Sequence, residues 1–494
     1  MDVYFGDLHN HCGITYGFGS LENALRIARS HLDFAAVTGH AMWPDMYARN
    51  EDTAFIVDFH RAGFQKLKEH WTEVRDAIAR ANGPELVTFQ GYEMHSSRYG
   101  DHHLVSPSDK LLLVDSDSPS ALVANCGAPA IAVPHHIGYV PGYRGIDWDK
   151  HDRHISPVVE VYSKHGCSMR SDGPYPYYHG MGPRDPRNTV QQGILAGHRF
   201  SFVASTDHHA GFPGSYGDGL AAIWAEEKSR DALWRALLAG RTYAVTGDRM
   251  RCWLRVNDAW MGETLHASRR MIRCHIEGDA AIDKVVLYKN GRPFARTEGR
   301  QGQAGDRRFK LRLEMGWGDS DSLYRWEGGL TVTDGRLVRA YPCLRGRSVL
   351  SPVDQREGGS DSINDIFNEL VIDGERGCHF TFETVKNKST LHPQTDQLVA
   401  EVEGDGRTVI GLTINGRHHE ATLAQLAACG FAGQMKPWHS QSYLIHTAVP
   451  QSAYTLDCEW EDVAGESPVD IYHVECAQCN NQWAFLSPCF AEAD

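Results

Sequence analysis

The chain has 494 residues, 41% of them hydrophobic and 23% charged, with a mean hydropathy of −0.42 and a formal net charge of −14. That length exceeds one ordinary hydrophobic core and predicts two or three domains. The acidic balance excludes a nucleic-acid backbone as the main partner, because such binding rests on Lys and Arg neutralising phosphates. No apolar run approaches the roughly 20 residues that span a bilayer.

Met1-Asp2-Val3 enters an apolar run directly, with no basic and apolar leader before it, so the sequence reads as that of a cytoplasmic protein. Twelve cysteines, scattered and mostly single, fit reduced thiols better than a disulfide framework. Of the 27 histidines, 18 lie at or before His209 and nine after it. The chemistry is therefore expected in the first half.

The opening stretch Val3-Tyr4-Phe5-Gly6-Asp7-Leu8-His9-Asn10-His11 reads as a buried strand that delivers a carboxylate and two imidazoles where the apolar character stops. His9 and His11 are two apart, so on extended backbone they point the same way and can grip one ion together. Residues 21–28 have helical spacing, and Phe34-Ala35-Ala36-Val37-Thr38-Gly39-His40 is a second apolar run ending in a histidine. Over 59–81 the apolar residues Phe59, Phe64, Leu67, Trp71, Val74 and Ile78 form a stripe with charges between, as on an amphipathic helix. Three more runs end in ligand types: Leu86-Val87-Thr88-Phe89-Gln90-Gly91-Tyr92-Glu93, Ala130-Ile131-Ala132-Val133-Pro134-His135-His136, and Phe202-Val203-Ala204-Ser205-Thr206-Asp207-His208-His209. Helices are expected at 121–126, 190–196 and 231–238 between and after them. This alternation predicts an α/β domain over 1–248 with a mostly parallel, buried sheet. Ligand types at successive strand ends are what a barrel-type metalloenzyme needs, since its loops converge on one pocket.

The pattern changes after Gly247. Residues 249–494 show β-rich segments at 252–256, 271–276, 284–289, 309–313, 399–402, 408–414, 443–449, 454–460 and 471–476, which predict antiparallel sandwich material in one or two modules. Asn290-Gly291 and Asn415-Gly416 have the chemistry of tight hairpin turns. Residues 315–365 are richer in Gly, Asp, Ser and Arg and are expected to form long loops or an inter-module connection.

The candidate ligands are Asp7, His9, His11, His40, Glu93, His102 or His103, His135 or His136, Asp207 and His209. Imidazoles with a few carboxylates suit Zn, Mn or Fe, whereas an all-oxygen set would suit Mg or Ca. A carboxylate such as Glu93 can bridge two ions. A pair so held acidifies water and clamps the attacking and leaving oxygens of a displacement.

Five stretches in order, Phe5-Gly6-Asp7-Leu8-His9-Asn10-His11, Val37-Thr38-Gly39-His40, Gly91-Tyr92-Glu93, Pro134-His135-His136 and Ser205-Thr206-Asp207-His208-His209, resemble the motifs of the PHP (polymerase and histidinol phosphatase) superfamily, and more narrowly a bacterial branch of PHP-like proteins. Supporting stretches are Val159-Glu160-Val161-Tyr162-Ser163-Lys164-His165-Gly166, Gly211-Phe212-Pro213-Gly214, Arg241-Thr242-Tyr243-Ala244-Val245-Thr246-Gly247 and Ala484-Phe485-Leu486-Ser487-Pro488. The resemblance covers the first half densely and the second thinly. It implies a distorted (β/α)7 barrel, a centre of two or three divalent metal ions, and hydrolysis, most often of phosphate esters. Carried over by position, His9 and His11 would hold one metal with Glu93 and Asp207. Glu93 would bridge to a second metal held by one histidine of 102/103 and one of 135/136, with His136 favoured at its strand end. His40 and His209 would belong to a third site. The sequence departs from the family in having Thr38-Gly39-His40 for Thr-Asp-His, and no strong ligand but Cys12 between His11 and Ser20.

Further candidates are His165 as a proton donor or substrate contact, which with Glu93 and Asp207 completes the expected catalytic set. Arg144 and Arg170 are candidates for an anionic group, Asp101 could orient a histidine, and Tyr92 reads as packing. Cys476 and Cys479, with Cys489 and His473 nearby, have partial zinc spacing. The expected activity is attack of a metal-activated hydroxide on a small anionic phosphoester. A second reading keeps the metals and makes the substrate a saccharide, cleaved by a carbohydrate-active hydrolase or lyase, with Trp317, Trp326, Trp438 and Trp483 offering sugar faces. A third is a non-catalytic metal-containing binding protein.

Overall fold

The computed structural model describes residues 1–175, 182–303, 305–318, 322–349, 362–386, 394–438 and 440–493. Strand β1 (Asp2–Asp7) leads to helix α1 (Leu21–His31), capped by Ser20, whose hydroxyl accepts the Asn23 N–H at 3.2 Å. Strands β2 (Phe34–Ala36) and β3 (Gly39–Met42) precede α2 (Ala54–Ala81), which buries Phe64, Leu67, Trp71, Val74 and Ile78 along one face. There follow β4 (Val87–Met94), β5 (His102–Ser106), α3 (Pro119–Asn125), β6 (Ile131–Pro134), β7 (Val158–Ser163) and β8 (Gly166–Cys167). Next are α4 (Val190–Leu195), β9 (Ser201–Ala204), β10 (Leu220–Ala225), α5 (Arg230–Leu238) and β11 (Thr242–Val245). Each helical stretch expected from the sequence overlaps one of these helices. None of the described helices is long and apolar enough to cross a membrane.

The strands pair in a mixed pattern in which the expected distorted (β/α)7 barrel is not shown. β1, β2 and β4 are parallel neighbours, and β3 also runs parallel to β4. In contrast β4–β5, β5–β6, β1–β10 and β10–β11 are antiparallel, and β7 and β9 form a separate parallel pair. The architecture is mixed and strand-rich, in several sheets. A parallel return needs a crossover of about a dozen residues or more, and only residues 95–101 join β4 to β5.

The large sheet continues across residue 248. β11 pairs with Trp483–Glu492, which pairs with Val469–Gln478, and Ile282–Lys289 and Arg292–Glu298 extend the row. One core accordingly holds Val3, Phe5 and Tyr243 together with Leu254, Leu287, Val474 and Leu486. Between Arg292–Glu298 and Thr455–Val463 the chain builds two further sheets. They bury one core between them, with Leu311, Leu313 and Leu398 from one and Leu330, Phe380 and Leu412 from the other. That is sandwich packing. The expected loops over 315–365 are corrected: the strands Tyr324–Thr333 and Arg336–Cys343 lie there, while 319–321 and 350–361 fall outside the described residues. Both Asn-Gly turns form, with φ of 49° and 72° at Asn290-Gly291 and 45° and 76° at Asn415-Gly416.

Burial builds in an acid sensitivity. Burial, then the charge of Arg249, pushes His31 down to about 3; burial, then His95, pushes His60 down to about 3. Both rings are neutral in the fold but protonate near their ordinary value of 6.5 when unfolded. Between those values the unfolded chain binds more protons, so stability is full above pH 6.5 and falls as the pH drops toward 3. The denaturant midpoint is expected to fall by an equivalent of about 1.4 kcal/mol per pH unit for each such histidine. A midpoint that stays level from pH 6.5 to about 4 would contradict this.

Candidate metal centre

Strand register assembles the first row of the site. His40 lies opposite Glu93 in the β3–β4 pair, and Glu93 lies opposite His103 in the β4–β5 pair. Opposed residues project from the same face, so three neighbouring strands hand two imidazoles and a carboxylate to one pocket. His102, one residue out of step, turns the other way, and its Nδ1 meets the Gly100 carbonyl at 2.9 Å. The structure brings His103 to the cluster and not His102.

The loops after β1 and β9 are laced together beside this row. The Asp207 N–H donates to the His9 carbonyl and the His11 N–H to the His208 carbonyl, each at 2.7 Å. Asp7 is a staple here rather than a ligand. Its Oδ1 accepts the N–H groups of His9 (3.2 Å) and Thr206 (3.1 Å), and its Oδ2 accepts the Thr206 hydroxyl (2.6 Å) and the Gly214 N–H (3.0 Å). Asp207 and His136 sit in the left-handed region, at φ of 50° and 55°. Such backbone costs about 1–2 kcal/mol in a residue with a side chain and persists where the surroundings fix it, commonly at functional sites.

Two carboxylates organise the cluster. Glu93 Oε2 is 3.4 Å from the Nε2 atoms of both His11 and His40 and 3.7 Å from that of His9, while its Oε1 is 3.1 Å from His135 Nε2 and 3.4 Å from His95 Nδ1. Asp207 repeats the pattern: Oδ1 faces His11 (3.1 Å), His209 (3.6 Å) and His9 (3.7 Å), and Oδ2 faces His165 (3.1 Å) and His136 (3.5 Å). His103 stacks on His9 at 4.3 Å between ring centroids. All these residues are buried, His209 being the most open at 6% exposure.

The protonation states suit a cation. Burial alone would raise Glu93 and Asp207, but the surrounding imidazoles outweigh it and hold both well below the usual carboxylate range. Burial, reinforced by neighbouring imidazoles and Lys164, keeps His40, His103, His136 and His209 well below theirs, hence neutral. His9 and His95 are the exceptions: burial would lower both, but Asp207 and Glu160 raise His9 well above, and Glu93 and Asp101 raise His95. Glu93 Oε2 and both ring nitrogens of His103 are buried without a hydrogen bond, which is costly for polar atoms that no ion satisfies. Several groups, among them His9-His103-His135, His11-His40-His209 and His40-Glu93-His95, bring their donor atoms within 4.8 Å of one another. Neutral imidazoles and ionised carboxylates at that spacing fit a divalent metal.

Sequence reasoning missed four residues here. His95 follows Glu93 by two positions, so the rule applied to His9 and His11 would have found it. Its Nδ1 also lies 3.2 Å from Asp101, which Arg144 holds at 2.9 Å; Asp101 thus orients His95, and Arg144 serves Asp101. Tyr16 covers His40 at 3.9 Å between ring centroids and bonds His95 Nε2 at 3.0 Å. Glu160 lies 3.0 Å from His9 Nδ1, and Lys164 is buried beside His165. Other candidates lie elsewhere. Arg170 pairs with Glu475 and sits over Tyr288, Cys12 is in an apolar core, and Tyr92 packs on Trp71. Cys476 and Cys489 are core residues, while Cys479 is exposed. Trp326 is wholly buried with its N–H on Thr384, so it offers no face to a sugar.

A family model described as a protein of unknown function (DUF3604) matches residues 214–274, a stretch that begins just after the cluster. The chain is similar to an uncharacterized protein of Chlamydia muridarum (strain MoPn / Nigg), 28% identical over 180 residues, and to one of Chlamydia pneumoniae, 30% identical over 182 residues. Each match covers 32% of this chain and 29% of the relative, so the chain spans under a third of their length. Among solved structures, a two-domain protein from Bacteroides vulgatus ATCC 8482 containing a predicted PHP-like metal-dependent phosphoesterase aligns over 60% of this chain and 85% of its own, at a TM-score of 0.34 and 13% identity. That likeness is too slight to assign a fold or an activity to this chain.

Proposed function

We propose that this chain is a metal-dependent hydrolase acting on small phosphoesters. The observation that carries the reading is that the two oxygens of Glu93 face different buried imidazoles, as do the two of Asp207, with His9 and His11 shared between the two carboxylates, the arrangement that bridging carboxylates need. The ordered motifs of the first half support it independently.

In this reading two or three divalent ions of the Zn, Mn or Fe type are held, one by His9, His11, Glu93 and Asp207, a second by Glu93, His103 and the 135/136 pair, and a third near His40 and His209. When bound, such ions acidify water and neutralise charge on phosphoryl oxygens. The chain's own residues set the stage for that. Glu160 holds His9 Nδ1 and so leaves Nε2 to face the pocket. Burial excludes bulk water and strengthens each charge interaction inside. His165 lies 3.1 Å from Asp207 and, lowered to about 4 by burial and so neutral near pH 7, would serve as a substrate contact beside the leaving oxygen.

The test is metal content per chain by elemental analysis of untagged protein prepared without chelator, with phosphate release from generic phosphomonoesters and diesters. Two or three equivalents with release is the expected result. An absence of metal after reconstitution with Zn or Mn would overturn the metal centre. Full metal without release would overturn the phosphoester assignment.

A further inference from the structure

Three buried cations have carboxylates beside them. Arg270 pairs with Asp470, Lys310 lies 3.3 Å from Asp279, and Arg312 lies 2.8 Å from Asp248. Lys164 forms no such pair among the described residues. It is 2% exposed, follows the end of β7, and donates its backbone N–H to the Thr206 carbonyl at 3.2 Å. Its ammonium donates to the carbonyl of Val349, and among the described residues it has no ion pair with a carboxylate. One carbonyl engages one of three donors. A buried ammonium left so is destabilising, and a fold keeps it where something else gains from it.

Its surroundings say what gains. Lys164 is the neighbour of His165, whose Nε2 is 3.1 Å from Asp207 Oδ2. Its backbone bond to Thr206 sets it beside the loop that carries Asp207, His208 and His209, and its charge helps depress the last two. Burial lowers it to about 8, which leaves it mostly charged near neutral pH.

Val349 comes from the second half of the chain, and its strap is fastened to the loop after Asp207. Arg345 Nε donates to the Tyr216 carbonyl at 2.8 Å, and Asn364 Nδ2 donates to the Ala210 carbonyl at 2.6 Å and the Arg347 carbonyl at 3.1 Å. Gly346 lies so close to the Phe212 ring that a Cβ there would stand 2.4 Å from it. The β-rich half thus reaches the pocket through one backbone carbonyl.

We propose that Lys164 is the substrate-side cation of the centre, binding the anionic group of the substrate while the Val349 carbonyl holds its ammonium in place. This rests on the metal-dependent hydrolase reading above. It gives the second half of the chain a share in substrate binding.

The experiment uses the full, metal-loaded chain, with inorganic phosphate as probe and calorimetric affinity, metal content and thermal midpoint as readouts. Lys164→Met removes charge and donor, whereas Lys164→Gln keeps a donor for Val349 without the charge. Both are expected to retain wild-type metal, to melt at or above the wild-type midpoint because an unpaired buried charge is gone, and to lose about tenfold or more in phosphate affinity. Phosphate affinity within twofold of wild type in either variant overturns the proposal. So does metal loss in both variants, which would make Lys164 structural. Metal content is read first and separates the two levels: a wild-type chain without metal overturns the hydrolase reading and this one with it. A metal-loaded wild type that binds no phosphate overturns this proposal alone.

Discussion

Glu93→Gln is expected to remove at least one equivalent of bound metal and about 10³-fold or more of turnover, roughly 4 kcal/mol of barrier, while leaving the fold intact. The two side chains have nearly the same volume, so the packing of β4 against β3 and β5 is preserved. The electrostatics are not. Glu93 has five imidazole nitrogens within 3.7 Å, divided between its two oxygens. An amide there presents an N–H₂ group, a donor, to ring nitrogens whose lone pairs are needed for an ion, and it removes the negative charge that balances the cation. Asp207→Asn is expected to act alike, since its oxygens divide five imidazoles in the same way, His9 and His11 being shared with Glu93. The measurement is metal content beside turnover and circular dichroism. Wild-type occupancy and turnover in both variants would dismiss the centre as a cluster of hydrogen-bonded histidines.

Much of that cluster can be read from local sequence, because its ligand types sit at the ends of apolar runs. Strand alternation then makes His9 and His11, or Glu93 and His95, partners by simple counting. What counting cannot supply is the register between strands. Whether His102 or His103 faces inward depends on which of them lies opposite Glu93, a long-range fact of the β4–β5 pair. Glu160 escaped because it interrupts an apolar run instead of ending one: its inward position in β7 meets His9 from a distant part of the chain. Lys164 reads as one more loop charge until Val349 is seen against it.

The mixed strand directions were illegible for a related reason. Alternating helix and strand patterns do not record whether a strand returns parallel, and the short 95–101 connection was the one legible warning. In the second half, Tyr324–Thr333 hides its strand character behind Gly328, Gly329 and charged outward residues, although Trp326, Leu330 and Val332 all point into the sandwich core. Half-buried strands with a polar outer face resemble loops in composition. Their alternation, not their content, was the signal.

Asp248→Asn is expected to destabilise the protein by about 3–5 kcal/mol, the usual penalty for stranding one partner of a buried ion pair. Asp248 is wholly buried just past β11 and joins parts of the chain far apart in sequence. Arg312, from the sandwich strand Arg308–Gly316, reaches both of its oxygens at 2.8 Å; the Tyr216 hydroxyl donates at 2.7 Å, and the Gln478 and Asn480 amides from the last hairpin each donate at 2.8 Å. Without the carboxylate, the Arg312 guanidinium remains buried with Tyr216 and Gln397 in hydrogen-bonding reach among the described residues. Asp248→Asn combined with Arg312→Met removes the stranded charge along with its partner and is expected to recover most of the loss, giving a coupling of several kcal/mol in a double-mutant cycle followed by denaturant unfolding. A single-variant loss below about 1 kcal/mol would show that the pair is solvated and does not bind the halves. Because the same sandwich leads into the segment that carries Val349, a loosened Asp248–Arg312 contact should also weaken phosphate binding in chains that are still folded. Stability of the junction and occupancy of the pocket should therefore fall together in the single variant and return together in the double.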